Sequence, residues 1–331
     1  MSDLDQKVSA MNLDYSVFDL GDWKLKHGGT IPKAQIAYKT FDKYFIIITA
    51  LFGNGQSSSP SNRKDIRPWP EVTFYDNVRA QHELVTKKFG VSHARAVLGW
   101  SMGAGQTYQW ATQYPDFMDL VVPFCGSAKT ALHNQSMLEG VKVAVLGGKG
   151  ASSGGVCKGE ANIDSYRAWS EEEKNVGLKA LGRVYSGWGF SQPFYRQRLF
   201  ESVLGFKDIE DFMVNFWEAW ALSKGEGPDP DNMVAMLYTW QAGDCSAQEP
   251  YNGDFDAAMK GIKAKALVMP GQTDLYFPPE DSEDEVARMK PGIGKCVPFP
   301  SIWGHWAGGP GQSTEDVKFL DDQLREFFAA N

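Results

Sequence analysis

Histidine and cysteine are both scarce, five and four among 331 residues. The cysteines, Cys125, Cys157, Cys245 and Cys296, are widely separated and form no C-x-x-C pair. That spacing excludes a disulfide scaffold or a zinc framework and reads as free thiols in a reducing compartment. No His/Cys/Asp group has ligand spacing, so no metal is expected. A basic excess is also missing: 33 Lys and Arg face 41 Asp and Glu, for a net charge of −8. Neither a nucleic acid nor an anionic membrane surface is then an expected partner. No apolar run approaches the ~20 residues of a membrane span. The opening "MSDLDQKVSAMNLDYSVF" has no apolar stretch behind a basic start, and "FFAAN" carries no address tripeptide. Together these lead to the expectation of a soluble, cytoplasmic protein. The glycine-rich "GGKGASSGG" lacks the G-x-x-x-x-G-K-[ST] order of a phosphate loop and reads as a flexible stretch.

What is present is an alternation of strand and helix signals. "FDLGDWKLKHGGTIPKAQIAYKTF" reads as two strands about a Gly28-Gly29 turn. Tyr44 to Ile48 is a short apolar, β-branched run of a buried strand, and Asp76 to Phe89 a helix stopped by Gly90. Ala94 to Leu98 and Leu120 to Phe124 are further strands, with a helix from Gly103 to Tyr114 between them. From about residue 128 to 260 the chain becomes helical and aromatic, after which Ala266–Pro270 and "GKCVPFP" restore the strand–loop pattern. "TEDVKFLDDQLREFFAA" is a closing amphipathic helix. The length allows one large domain with an insertion, or two ordinary domains. The alternation predicts an α/β fold: a mostly parallel central sheet, helices on both faces, and a helical insertion.

The chemistry concentrates at "LGWSMGAG". By composition alone G-x-S-x-G should occur in roughly one chain in ten of this size, so the pentapeptide needs its context. Here it follows a strand and opens a helix, which holds Ser101 exposed on a strained turn, with glycines at 99 and 103 where Cβ atoms would collide. The Met102 N–H, first of the helix, would then donate to a developing oxyanion. A serine at neutral pH needs a base, and the base an orienting acid. Asp274 lies just past one late strand and His305 in a glycine-flanked loop before the last helix. The order Ser101, Asp274, His305 is that of an α/β-hydrolase. Alternatives remain at each position: a structural turn at Ser101, an Asx-turn cap at Asp274, and Glu280 or Asp281 in the acid's place. Among the aromatics of the insertion, Trp188 and Phe190 are candidates to line a substrate pocket.

With these residues in view, the chain resembles the homoserine O-acetyltransferase-like branch of the α/β-hydrolase superfamily over nearly its whole length. The resembling segments are "IPKAQIAYKTF", "KYFIIITALFGNGQSSSPSN", "GWSMGAGQTYQWATQYPD", "GQTDLYFPPEDS" and "IWGHWAGGPG". The resemblance implies Ser101 as nucleophile, His305 as base, Asp274 as orienter and an acyl-enzyme intermediate. It implies a hydrolase core (1–127 and 261–331), a helical lid (128–260) over the tunnel to Ser101, and lid-to-lid homodimers. The substrate would be a small ester, thioester or alcohol, with acyl-CoA as a candidate co-substrate and no bound cofactor.

Two departures shape the expectation further. Family members that acylate homoserine carry an acid after the catalytic histidine to hold the substrate amine. Here Trp306 stands there, offering at most a cation–π face to the pocket, so water is favoured over homoserine as acceptor. Second, Phe41 runs directly into Asp42-Lys43-Tyr44, where the family carries about three dozen more residues with a central strand and the second oxyanion donor. With the Met102 N–H alone, the loss would be ~10²–10³ in rate, about 3–4 kcal/mol. The strand Tyr44–Ile48 moving beside Ala94–Leu98 would compensate, bringing Leu51 or Phe52 in as the second donor. The sequence therefore supports a serine-dependent ester or thioester hydrolase or O-acyltransferase. The alternatives are an acetyl-CoA-dependent O-acetyltransferase of a small hydroxy compound and a catalytically impaired binding protein.

Overall fold

The computed structural model describes residues 15–41, 44–150, 168–222, 229–309 and 312–331. Strands β1 (Ser16–Lys24), β2 (Thr30–Phe41) and β3 (Ile46–Thr49) form an antiparallel sheet in that order. The β1–β2 turn uses positive φ at Gly28 and Gly29, which a Cβ would disfavour. Strands β4 (Ala94–Trp100), β5 (Met118–Phe124), β6 (Lys265–Val268) and β7 (Gly294–Cys296) form a second, parallel sheet, also in chain order.

Helices α1 (Phe74–Glu83), α2 (Met102–Gln113), α6 (Phe255–Gly261), α7 (Pro279–Arg288) and α8 (Thr314–Ala330) accompany the strands. One face of the parallel sheet packs Val121, Ala266 and Val268 against Tyr108 and Trp110 of α2 and Met259 of α6. The other face packs Val122, Leu267 and Met269 against Phe319, Leu320 and Leu324 of α8. Two covered faces explain the uninterrupted apolar run in β5. Helix α1 is shorter than its apolar pattern predicts, because Leu84–Lys88 continues it as a π-helical turn.

Between β5 and β6 the described residues are helical. They include α3 (Leu132–Gly147), α4 (Glu171–Gly189) and α5 (Pro230–Gln241). Helix α4 begins with a capping box, Ser170 accepting from the Glu173 N–H and Glu173 accepting from the Ser170 N–H. Most of "GGKGASSGG" and Cys157 lie outside the described residues. Cys125, Cys245 and Cys296 are free thiols. No helix among the described residues is long and apolar enough to cross a membrane.

The expected strand shift does not occur. Strand β3 pairs with β2, Tyr38 opposite Thr49 and Phe41 opposite Ile46, and not with β4. The antiparallel ladder with β2 satisfies its backbone locally, while a move to β4 would break it. Residues 42 and 43, the junction itself, lie outside the described residues. The consequence is legible in burial. β4 is only partly covered and Leu98 is 51% exposed, as are Ile46 and Ile48 of β3 at 47% and 55%. A strand that would be central in an unbroken sheet has become an edge.

Candidate active site

Ser101 stands between the end of β4 and the start of α2, at φ +58° and ψ −122°. That positive φ costs of order 1–3 kcal/mol for a non-glycine residue and is held by its surroundings. The Ser101 N–H donates to Phe124 O of β5 at 3.1 Å, and Ser101 O accepts from Ala104 N–H at 2.9 Å. A Cβ on Gly99 would lie 2.4 Å from the Gly103 carbonyl carbon and oxygen. The expectation for Gly103 needs correcting: a Cβ there would meet nothing within 4 Å, and Gly103 matters as the backbone that Gly99 abuts.

The loops after β6 and β7 bring Asp274 and His305 to Ser101. His305 Nε2 lies 2.9 Å from Ser101 Oγ, and His305 Nδ1 lies 2.8 Å from Asp274 Oδ2. Both residues are buried, at 4% and 3% exposure, so this pair works in a low-dielectric setting. Asp274 also caps its own loop, Oδ1 accepting from Tyr276 N–H at 2.8 Å and Phe277 N–H at 3.2 Å. The Asx-turn and the histidine contact are thus two uses of one carboxylate. Glu280 and Asp281 instead lie in the first turn of α7. Thr273 ties the two loops, its hydroxyl donating to Ser301 O at 3.0 Å and accepting from Gly304 N–H at 3.2 Å.

The surroundings of His305 include residues that motif reading passes over. The Trp100 ring stacks on the imidazole at 4.9 Å and its indole N–H donates to His305 O at 3.2 Å. Tyr276 meets the imidazole edge-on at 4.8 Å, and Phe277 lies at 5.5 Å. Trp100 sits inside the G-x-S-x-G motif and Tyr276 two residues past Asp274, so adjacency in sequence was their available signal. Cys125 is fully buried, donates to Ala307 O at 3.2 Å, and has its thiol pushed up by burial and then by Asp274, leaving it neutral and unreactive.

The Met102 N–H heads α2, where no intrahelical carbonyl can reach it and the helix dipole is positive. Phe52 does not fit as the second donor. Its N–H donates to Asn77 Oδ1 at 2.8 Å inside a buried turn. Leu51, beside it, is also buried. Of the aromatic candidates, Phe190 and Trp306 are core rather than pocket wall. Phe190 is fully buried and stacks on Trp306 at 5.0 Å, and Trp306, 7% exposed, meets Trp217 at 5.1 Å. Trp188 is half-buried and stacks on Tyr276 at 6.5 Å, while the Trp306 ring also lies edge-on to His305 at 6.3 Å. Among the described residues no group of His, Cys, Asp and Glu could hold a metal ion.

A nucleophile elbow, a parallel sheet and Asp and His loops at the same sheet edge define an α/β-hydrolase-type enzyme. The chain is 32% identical to a probable esterase of Corynebacterium glutamicum over 86% of its own length and 77% of that protein's. It is also 32% identical to an ethyl acetate hydrolase of Pseudomonas veronii, over 87% and 77%. A homoserine O-acetyltransferase of Haemophilus influenzae is 30% identical over 88% and 78%. The solved structure of an acetylester hydrolase from Corynebacterium glutamicum superposes with a TM-score of 0.85 at 28% identity, covering 96% of each chain. No family model matches. The chain belongs to the homoserine O-acetyltransferase-like branch of the α/β-hydrolase superfamily, which holds both esterases and acyltransferases.

Proposed function

We propose that this enzyme hydrolyses short-chain esters, foremost acetates of small alcohols, through an acyl-Ser101 intermediate. His305 takes the Oγ proton as the oxygen attacks the ester carbonyl, then returns it to the departing alcohol. A water molecule, deprotonated by the same imidazole, releases the acid and restores Ser101. Asp274 keeps the Nδ1 proton in place and stabilises the imidazolium between the two steps. The observation that supports this reading is the unbroken relay of 2.9 and 2.8 Å from Ser101 through His305 to Asp274. The Met102 N–H, at the head of α2, is the oxyanion donor in this reading; with β3 kept beside β2, Leu51 is not carried in as a second.

Water is the acceptor in this reading because the residue after His305 is a tryptophan packed into an aromatic core, not an acid able to hold an amine. The preference for acetate esters draws on the names of two relatives, an ethyl acetate hydrolase and an acetylester hydrolase. The helical insertion acts as the lid and the setting is cytoplasmic, in line with three free thiols among the described residues. The test is product partition with p-nitrophenyl acetate in rising concentrations of 1-butanol. Hydrolysis predicts free acetate equal to nitrophenol throughout. Butyl acetate as the main product, or thiol release from acetyl-CoA in the presence of homoserine, would move the assignment to acyl transfer.

A further inference from the structure

Glu285 has no part in the proposed reaction, yet it joins three elements that hold the site. It lies on α7 and is 3% exposed. Its Oε2 accepts from the Tyr108 hydroxyl at 2.6 Å, two turns along the helix that starts at Met102. Its Oε1 accepts from the Ala128 N–H at 2.6 Å, where the chain leaves β5 for the helical insertion. Helix α7 itself follows the Asp274 loop by a few residues. One carboxyl group thus ties the nucleophile helix, the root of the insertion and the acid loop.

No described Lys, Arg or His pairs with it. The groups around it are Tyr108 from α2, Cys245 from the returning end of the insertion, Cys296 from β7, and Asp281 and Asp284 from its own helix. The nearby Lys129 is taken by Asp244 at 2.8 Å. Burial is the largest influence and pushes the Glu285 carboxyl up to about 8, against the two hydrogen bonds that pull it down.

We propose that Glu285 is a positioning residue whose neutral acid form holds these three elements in the active register, and whose ionisation loosens them. In the acid form, Oε1 accepts from Ala128 N–H while the carboxyl O–H turns to donate to the Tyr108 oxygen, the reverse of the bond that a carboxylate accepts from that hydroxyl. Losing that proton places an uncompensated charge in the cluster of Tyr108, Ala128, Cys245 and Met289. The inference rests on the hydrolase reading only where activity is the readout.

Glu285→Gln copies the acid form, its carbonyl oxygen accepting from Ala128 and its NH₂ donating to Tyr108. The first measurement needs no activity: unfolding midpoints of wild type and E285Q from pH 5 to 9. A carboxyl raised in the folded state stabilises most below its unfolded value of 4.5, and that stability is lost as pH rises toward about 8. Wild type should therefore lose stability relative to E285Q across that range; parallel curves would overturn the proposal. The second is kcat for p-nitrophenyl acetate against pH. Wild type should fall about tenfold between pH 7 and 9 with a one-proton slope, and E285Q should not. Tyr108→Phe removes a bond that favours ionisation, so its limb should move to higher pH. An identical alkaline limb in all three proteins would overturn the proposal, whereas no turnover at any pH with diverging melting curves would instead count against the hydrolase reading.

Discussion

Replacing Asp274 with asparagine tests the relay because the structure dictates which way the new amide must point. Asp274 Oδ1 receives two backbone N–H groups, from Tyr276 and Phe277, and Oδ2 receives His305 Nδ1. An asparagine can satisfy two N–H donors only with its oxygen on the Oδ1 side. Its NH₂ group is then forced toward His305 Nδ1, which must become an acceptor. The imidazole proton moves to Nε2, the nitrogen 2.9 Å from Ser101 Oγ, and the base is lost. A wrong tautomer in such a relay costs about 10⁴ in kcat, or about 5 kcal/mol of transition-state stabilisation. Both loop-capping bonds survive, so the unfolding midpoint should stay within a few degrees of wild type. The assay is kcat and KM for p-nitrophenyl acetate, with melting curves on the same samples. A folded Asp274→Asn protein that loses less than tenfold in kcat would refute the reasoning, and Glu280 or Asp281 would need to be reconsidered as the acid.

Three further substitutions probe the scaffold. Trp306→Ala removes a 7%-exposed ring from contact with Phe190 and Trp217 and should cost about 3–5 kcal/mol in denaturant unfolding; a cost under 1 kcal/mol would mean the ring is not core. Gly99→Ala places a Cβ 2.4 Å from Gly103 backbone atoms, which opens the elbow and moves Oγ off His305. A displacement of that kind should lower kcat at least about 10²-fold, and near-normal turnover would contradict the packing account. Leu98→Lys acts on the exposed edge of β4, so stability should change by no more than about 0.5 kcal/mol while self-association at high concentration falls in light scattering. Unchanged association would show that the edge is not the sticky surface.

Much of the arrangement was readable from residues because it depends on local chain geometry. A strand ending at Trp100 and a helix beginning at Met102 leave Ser101 alone to make the turn, and that forces the elbow. Asp274 and His305 were legible because each sits in a loop just past a late strand, and parallel strands deliver such loops to one edge. The failures share a different cause. Phe190 and Trp306 look like pocket aromatics in sequence, but whether a ring faces a cavity or another ring is decided by residues far away, here Phe194, Phe212 and Trp217. Phe52 was excluded as a donor by Asn77, 25 positions on, through a backbone contact no spacing rule encodes. The placement of β3 turned on a competition between two possible partners, and the ladder with β2 won. Glu285 was hidden as one acid in "PPEDSEDE", since only tertiary packing separates it from its solvated neighbours.

The most direct test of the central claim is intact-mass labelling of the folded protein with a fluorophosphonate, beside Ser101→Ala. One adduct is expected per wild-type chain and none on the variant, because only an oxygen activated by His305 at 2.9 Å attacks the phosphorus. An unlabelled but folded wild type would contradict it and mean the broken sheet no longer supports the chemistry, and an adduct that persists in Ser101→Ala would place the nucleophile elsewhere.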